Sequence, residues 1–546
     1  MNIKQLRDLA DELFTKKFPL TSLHQEIADN FYPERADFTI RRSMGTDFAA
    51  NLMSSYPIQC RRDLGNQFGT MLRPTAKPWF HAARRYTPKD LEDIEVRAFL
   101  EWFTETQRRA MYDPHALFTR ATKEGDHDFA AFGQCAISVE LNRDHDGLLY
   151  RCWHLRDMCW QENELGKIGF VARRWKPTAQ TLKRTFRDRV HDSVTRMLEK
   201  QPFAEVDCLH LVVEADMYDD NARGRPRWSL WYDTQHDQLM DATPIWGKHY
   251  VIPRWQTVSG VQYSYSPATV AALPDARLLQ AMTFTLLEAG EKATSPPMVA
   301  VQDVIRSDMA LYAGGVTYVD AEYDERLGEA LRPIAQDFRG FNFGLQMNQD
   351  TRAMLHSAFF LNALSLPERA PEMTAYEVGQ RVQQYIRNAL PIFEPMEDEY
   401  NAAICEETFE LMWRNGGFGN PTSWPKKLQG AEIDFSFESP LHDAVEEMKG
   451  QKFQQAQTII GEAVALDPSC ALVPKAEIAL RDALMGIGVP ARWLFSEAQV
   501  QQRKKDQEAA QQKQATLANL EQASNVAKNI GQSGMAPAAV AAPAAA

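Results

Sequence analysis

Ser266–Pro297, SPATVAALPDARLLQAMTFTLLEAGEKATSPP, and its counterpart Leu345–Leu364, LQMNQDTRAMLHSAFFLNAL, decide how this 546-residue chain is read. The first opens at Ser266-Pro267, with a second start signal at Leu273-Pro274-Asp275, and carries Leu278, Met282 and Leu286 at four-residue spacing with Leu279 and Leu287 beside them. That is a helical period, and Ser295-Pro296-Pro297 ends it. The second is apolar on more than one face in its C-terminal half, through Met354, Leu355, Ala358, Phe359, Phe360, Leu361 and Leu364, so it requires burial from several sides. Twenty residues at about 1.5 Å each span roughly 30 Å. The chain near it offers little cover, and neighbouring copies of the same subunit are expected to supply it. The residues expected to pack this pair are Leu278, Met282, Leu286, Leu355 and Phe359.

Between the helices lie two strand-like pieces, Met298–Val301 and Val316–Val319, and a polar stretch, Gln302–Asp308, which together read as a compact module at the end of a helical stalk. After the second helix, Pro367-Glu368-Arg369-Ala370-Pro371-Glu372 breaks the helix. Thr374 then N-caps a new one, with Glu377 three residues on.

Working outward, Ile3–Phe132 is mainly helical: Ile3–Thr15, Ser22–Asn30, Thr46–Met71, Pro88–Tyr112 and His115–Ala131, parted by Pro or Gly. Strands follow. Cys135, Ile137, Val139 and Leu141 alternate, Asp144–Gly147 turns, and Leu149–Trp153 returns as the second arm of a hairpin. Further alternation at Leu209–Val213, at Trp228, Leu230 and Tyr232, and at Tyr250–Ile252 gives an α+β body. Beyond Ala375 a helical pattern runs to Trp413 and ends at Gly416-Gly417; Ile433, Phe435 and Phe437 make one strand. The helices Leu441–Ala465, Ala471–Met485 and Ser496–Ile530 follow, the last with a thin apolar seam at Val500, Leu517, Leu520 and Val526, suited to side-by-side packing. The Ala- and Pro-rich residues Gly531–Ala546 read as disordered.

Length suggests three or four domain-sized units, and 44% hydrophobic with 10% aromatic residues is ample for real cores. With 60 basic against 73 acidic residues and a formal charge of −13, the chain is no basic nucleic-acid gripper. Met1–Lys17 is charged and amphipathic, unlike a secretory signal, and no run of about 18 apolar residues is present to span a membrane. Seven cysteines without a repeating spacing read as reduced thiols of a cytoplasmic setting.

The chemical candidates each have a plainer reading. Gly416-Gly417-Phe418-Gly419 follows a helix where a phosphate loop would follow a strand, so it reads as a C-cap and turn; Gly247-Lys248-His249 lacks the Ser or Thr of a P-loop and reads as a strand-edge turn. Asp126-His127-Asp128 with Cys152, His154 and Cys159 fits no zinc spacing. Asp275, Glu288 and Glu291-Lys292 lie on one apolar helix, and neither a metalloprotease nor a serine-hydrolase motif occurs. No catalytic residue, metal or cofactor is expected. Arg173-Arg174-Trp175-Lys176, with Lys183, Arg184, Arg187 and Arg189 following, is the strongest basic cluster. Arg173, Arg174 and Lys176 are candidate phosphate contacts, the alternative being a solvated face or the positive side of a contact between copies.

Several segments in fixed order carry a family resemblance: Ile27-Ala28-Asp29-Asn30-Phe31-Tyr32-Pro33, Met71-Leu72-Arg73-Pro74, Pro78-Trp79-Phe80, FAAFGQCAISVE at Phe129–Glu140, YSYSPATVAALP at Tyr263–Pro274, Pro296-Pro297, and MTAYEV at Met373–Val378. Together they resemble the portal, or head-to-tail connector, proteins of short-tailed (podovirus-type) bacteriophages, with Tyr265-Ser266 departing from the glycine and arginine expected nearby. The resemblance implies a twelve-fold homo-oligomeric ring at one capsid vertex of the virion, at the head-tail junction, assembled in the host cytoplasm. It implies a wing (1–264), a first stem helix (265–295), a small α/β clip (296–335) and a second stem helix (336–365). A channel loop (366–373), a long wing helix (374–430), a lower crown (431–495), a crown barrel helix (496–530) and a disordered tail (531–546) complete it. In that scheme Pro367, Glu368, Arg369, Ala370, Pro371 and Glu372 project into the channel, and Pro296, Pro297, Gln302, Asp303 and Arg306 belong to the clip that docks other proteins. Expected partners are double-stranded DNA in transit, terminase, a tail adaptor, and capsid and scaffolding proteins. The alternatives are another phage structural ring, such as a tail adaptor or internal core protein, and, from a different class, a nuclease or packaging ATPase.

Overall fold

The computed structural model describes residues 1–43, 45–75, 78–85, 94–219, 221–294, 297–300, 331–333, 339–364, 396–420, 422, 424–437, 453–463 and separate stretches from 465 to 517. The channel loop, the clip residues Pro296, Gln302, Asp303 and Arg306, the strand-like piece Val316–Val319, the start of the long wing helix and the C-terminal tail lie outside them; Pro297 is exposed. Two compact units divide the chain, one formed by residues 1–81, 104–420 and 434–443, the other by 82–103, 421–433 and 444–546.

The larger unit begins with α1 (Ile3–Phe31), opened by a capping box in which Asn2 and Gln5 bond each other's backbone. Pro19 lies inside this helix, where sequence reading places a break. The lost backbone bond is outweighed by what the helix buries on both sides of the proline, Leu6, Ala10, Leu13 and Lys17 before it and His24, Ile27, Ala28 and Phe31 after it. In chain order then come α2 (Tyr56–Leu72), β1 (Phe80–Arg84), α3 (Ile94–Met111) and α4 (Phe118–Phe132), the residues 82–103 of β1 and α3 belonging to the smaller unit. The expected hairpin is present as β2 (Ile137–Leu141) and β3 (Leu148–Cys152), antiparallel with Val139 opposite Tyr150.

Next, β4 (Met158–Glu162), β5 (Ile168–Trp175), α5 (Ala179–Phe186), α6 (Asp192–Lys200), β6 (Cys208–Glu214), α7 (Ala215–Tyr218), β7 (Arg227–Asp233) and β8 (Gln238–Ile245) build a five-stranded antiparallel meander in chain order. Strand alternation splits its side chains between two faces. Leu209, Leu211 and Val213 pack under Leu6, Ala10 and Leu13 of α1, while Cys208 clusters with Leu182 and Val194 of the α5–α6 hairpin and with Val206 ahead of β6. Strand β9 (Tyr250–Val251) joins β2, and β10 (Gln256–Val258) with β11 (Val261–Tyr265) forms a ribbon leading into α8 (Pro267–Thr294).

Pro274 is accommodated within α8, so the two start signals belong to one helix, which ends at Thr294 before the Ser-Pro-Pro stop. Strand β12 (Met298–Ala300) pairs antiparallel with β13 (Leu331–Pro333), a partner the sequence reading did not identify because three residues ending in proline carry no alternation. The second long helix, α9 (Arg339–Ala358), starts earlier than its apolar half suggests and stops where Phe360 takes a φ of 57°; α10 (Leu361–Leu364) follows. A π-helical turn, Glu397–Ala402, leads into α11 (Ala403–Arg414), which ends at Gly416 with φ 75° and the Gly417 N–H on Met412 O at 2.8 Å, the expected C-cap and turn. β14 (Ile433–Phe437) is the strand expected there.

In the smaller unit, buried Trp424 gathers Phe99 and Phe103, with ring centroids at 5.4 and 6.1 Å. Among the described residues no helix is long and apolar enough to cross a membrane.

Candidate functional site: the stem hairpin and its foot

The two helices expected to form the stem are α8 and α9, and the pair is rooted where the segments Phe129–Glu140 and Tyr263–Pro274 interlock. Helix α4 ends in Phe129-Ala130-Ala131-Phe132-Gly133, leaving carbonyls that need donors. The hydroxyls that open α8 provide them: Ser266 Oγ donates to Ala130 O at 2.8 Å, Thr269 Oγ1 to Ala131 O at 2.7 Å, and Ser264 Oγ to Gly133 O. Gln134 Oε1 accepts the Ser264 N–H at 3.0 Å. Gly133 has a φ of 72°, and a Cβ there would lie 2.1 Å from the Tyr265 carbonyl carbon, so only glycine allows this close approach.

Further along, Asn348 Nδ2 on α9 donates to Thr283 Oγ1 on α8 at 3.2 Å, and Gly344 lets the helices approach at Leu286. Gln280 Oε1 accepts the Met53 and Ser54 N–H groups at 2.7 and 2.8 Å, and Arg277 Nε reaches Glu26 at 2.8 Å, so the loop before α2 and helix α1 brace the stem.

Inward-facing residues recur at helical spacing, Ala272, Leu273, Ala276 and Leu279 on α8 and Asn348, Thr351 and Leu355 on α9. At 3.6 residues per turn, Phe343, Met347 and Met354 lie roughly a quarter-turn to one side of the α9 stripe and Leu345 to the other. All four are exposed. On α8, exposed Val270 and Phe284 lie to one side of the buried stripe, and exposed Leu278 with half-buried Met282 to the other. The stem is therefore apolar on both flanks.

Of the residues expected to pack the stem, Leu355 and Phe359 are fully buried and Leu286 lies against Gly344, whereas Leu278 and Met282 fall on a flank. Phe359 corrects the expectation that neighbouring copies must cover it: the same chain covers it, with Phe31 of α1 at 5.4 Å between ring centroids.

Arg173, Arg174 and Lys176 do not form one phosphate-binding surface. On strand β5, Arg173 points inward, 3% exposed, donates to the Tyr250 hydroxyl at 2.7 Å and lies 3.7 Å over the Trp153 ring. Arg174 pairs with Asp11 at 3.0 Å and Lys176 with Asp207 at 2.6 Å.

The residues of the rejected zinc pattern have other partners. Arg73 takes Asp126 and, at 2.8 Å, Asn401 Oδ1; Arg35 takes Asp128 at 2.7 Å; His154 Nε2 bonds Asp37 at 2.5 Å. Burial pushes the Asp126 carboxyl up, against the pull of Arg73. Among the described residues no group of three or more His, Cys, Asp or Glu is gathered to hold a metal ion.

Sequence reading missed the buried joint on α11. Glu407 accepts the Lys248 and His249 N–H groups at 2.6 and 2.9 Å, which makes Gly247-Lys248 a tied turn, and Arg254 links Glu162 to Glu399. Nothing local in the sequence marks these pairs, whose members lie far apart along the chain.

With this geometry in place, the class is defined: the chain belongs to the family described as bacteriophage head to tail connecting protein, whose model matches residues 3–494. Its relatives include the "Probable portal protein" of Bordetella phage BPP-1, 23% identical over 450 residues and covering 79% of this chain and 78% of that protein. The "Portal protein" of Salmonella phage epsilon15 is 22% identical over 407 residues, covering 72% and 70%. Among solved structures, one chain of "Neck of empty GTA particle computed with C6 symmetry" aligns over 85% of this chain and 99% of its own length, with TM-score 0.33 and 11% identity.

Proposed function

We infer that this chain is the portal subunit of a phage head-to-tail junction, a structural channel protein. The observation that carries the reading is the family match along nearly the whole chain together with relatives named as portal proteins over most of their own length. Copies pack side by side around a central axis through the two apolar stem flanks, in a ring for which twelve is the family expectation. Because one flank meets a different flank of the next copy, the contact is head-to-tail and closes into a ring when the rotation allows. In that arrangement the stretch 366–373 faces the channel, the β12–β13 module and the stretch between its strands dock terminase and then a tail adaptor, and residues 431–530 form the crown. Capsid and scaffolding proteins contact the wing, and double-stranded DNA passes through. The formal charge of −13 per copy suits a channel that lets the duplex slide, since tight binding would need many basic side chains on phosphates.

The test is negative-stain imaging and native mass measurement of the purified chain. Rings with a central hole are expected; a monomer, or an open filament under all assembly conditions, overturns the reading.

A further inference from the structure

At the foot of the stem an open cleft of about 390 Å³ is lined by Tyr56 on α2, by Gln349, Arg352, Ala353 and His356 on α9, and by Asn362 on α10. Among the described residues no carboxylate lines it. Arg352 and His356 stand four residues apart, one helical turn, so both lie on the same face of α9. The Arg352 guanidinium sits 5.6 Å over the Tyr56 ring, is exposed, and makes no ion pair among the described residues.

Apart from Ala353, the lining side chains named above share one chemistry. Arginine presents a planar fork of N–H donors, and glutamine, asparagine, tyrosine and histidine can all donate. A ligand for this set is rich in acceptors and negatively charged, which describes a phosphate oxyanion better than a carboxylate with only two oxygens.

We propose that this cleft is a phosphate-binding site, with Arg352 as its anchoring cation and His356 and Gln349 beside it. The phosphate comes from a duplex backbone or from free inorganic phosphate. The first source rests on the portal reading and the second does not. In the sequence, Asn362 comes four residues before the stretch 366–373.

The experiment uses the full-length protein and the variants Arg352→Ala and Arg352→Lys. Its first arm follows thermal unfolding with inorganic phosphate replacing chloride at constant ionic strength. Its second follows the anisotropy of a labelled 40-base-pair duplex across a salt series, with particle size checked throughout. Phosphate is expected to stabilise the wild type and not Arg352→Ala. Arg352→Ala is expected to bind duplex roughly tenfold more weakly at low salt, as for removal of one charge-assisted hydrogen bond. Its log–log salt slope should be shallower by about 0.9 for each phosphate that is no longer neutralised. Arg352→Lys, which keeps the charge and loses the fork, should fall between.

Loss of the phosphate response with duplex binding unchanged assigns the site to free phosphate and overturns the duplex source. No change in either arm overturns the site. Disassembly with the phosphate response intact places Arg352 against a carboxylate of a neighbouring copy and overturns it too. If rings are absent altogether the portal reading fails, yet the phosphate arm still decides the site.

Discussion

Phe31 at the end of α1 and Phe359 just beyond α9 meet with ring centroids 5.4 Å apart and planes inclined at 54°, and both are fully buried within one chain. This end of the α8–α9 pair is thus part of the subunit core. Removing a buried phenyl ring leaves a cavity, and Phe→Ala changes of this kind cost about 3–5 kcal/mol. Phe359→Ala is expected to lower the unfolding midpoint of the isolated subunit in urea. A variant that unfolds like the wild type yet no longer assembles would return Phe359 to the contact between copies.

Gly133 has a sharper requirement. Its positive φ and the backbone of Tyr265 within 2.1 Å of any Cβ mean that Gly133→Ala must push α8 away from the end of α4. The hydroxyl bonds of Ser266 and Thr269 to Ala130 and Ala131 would then lengthen. Left-handed strain alone costs about 1–2 kcal/mol, and the weakening of bonds to buried carbonyls adds to it. Hydrogen exchange should show faster opening of the α4 C-terminus and the first turns of α8 in this variant, and unchanged protection there would contradict the joint.

How far these features were legible in advance depends on the range of the interaction. The β2–β3 hairpin and the turn at Gly416 are written in neighbouring residues, and the structure has them. Pro19 suggested a break, and Pro274 a second helix start, because a local rule was applied where long-range packing prevails: Lys17, two residues before Pro19, is fixed by the carbonyls of Leu155 and Met158, far along the chain. Arg173 looked like part of an exposed run, and only the alternation of β5 and the distant Trp153 and Tyr250 turn it inward. The stem register was half legible. Periodicity chose Leu278, Met282 and Leu286, while the buried stripe runs through Ala272, Ala276 and Leu279, because small residues let α8 lie close to the body.

Lys17 leads to a prediction about pH. Burial lowers its ammonium from the ordinary 10.5 to about 8, although Nζ donates to Leu155 O at 2.6 Å and Met158 O at 2.7 Å. In the unfolded chain the lysine holds its proton up to the ordinary value, so between pH 8 and 10.5 the unfolded state binds more protons than the folded state. Stability contributed by this group therefore rises with pH across that window, by up to a few kcal/mol. Lys17→Met, of similar length and without the charge, should flatten the rise in urea-unfolding free energy from pH 7.5 to 10. A slope unchanged by the substitution would show that Lys17 titrates as an exposed lysine does.

Met354 provides the contrast to Phe359, one turn and a residue away. It is 58% exposed in the single chain, on the flank of α9 that also carries Phe343 and Met347. A charge at an exposed position costs the isolated subunit little, since surface substitutions shift stability by roughly 0.5 kcal/mol or less. Once a neighbouring copy covers that flank, the same carboxylate is stripped of water with no cation opposite it, which costs several kcal/mol at each interface. The cost recurs at every interface around a closed ring. Met354→Glu is therefore expected to leave the subunit's unfolding midpoint within error of the wild type while shifting sedimentation from rings to monomers at the same concentration. Rings of wild-type mass from Met354→Glu would show that this flank stays in solvent, and the packing surface would then have to be sought on the opposite side, at Leu278 and Leu345.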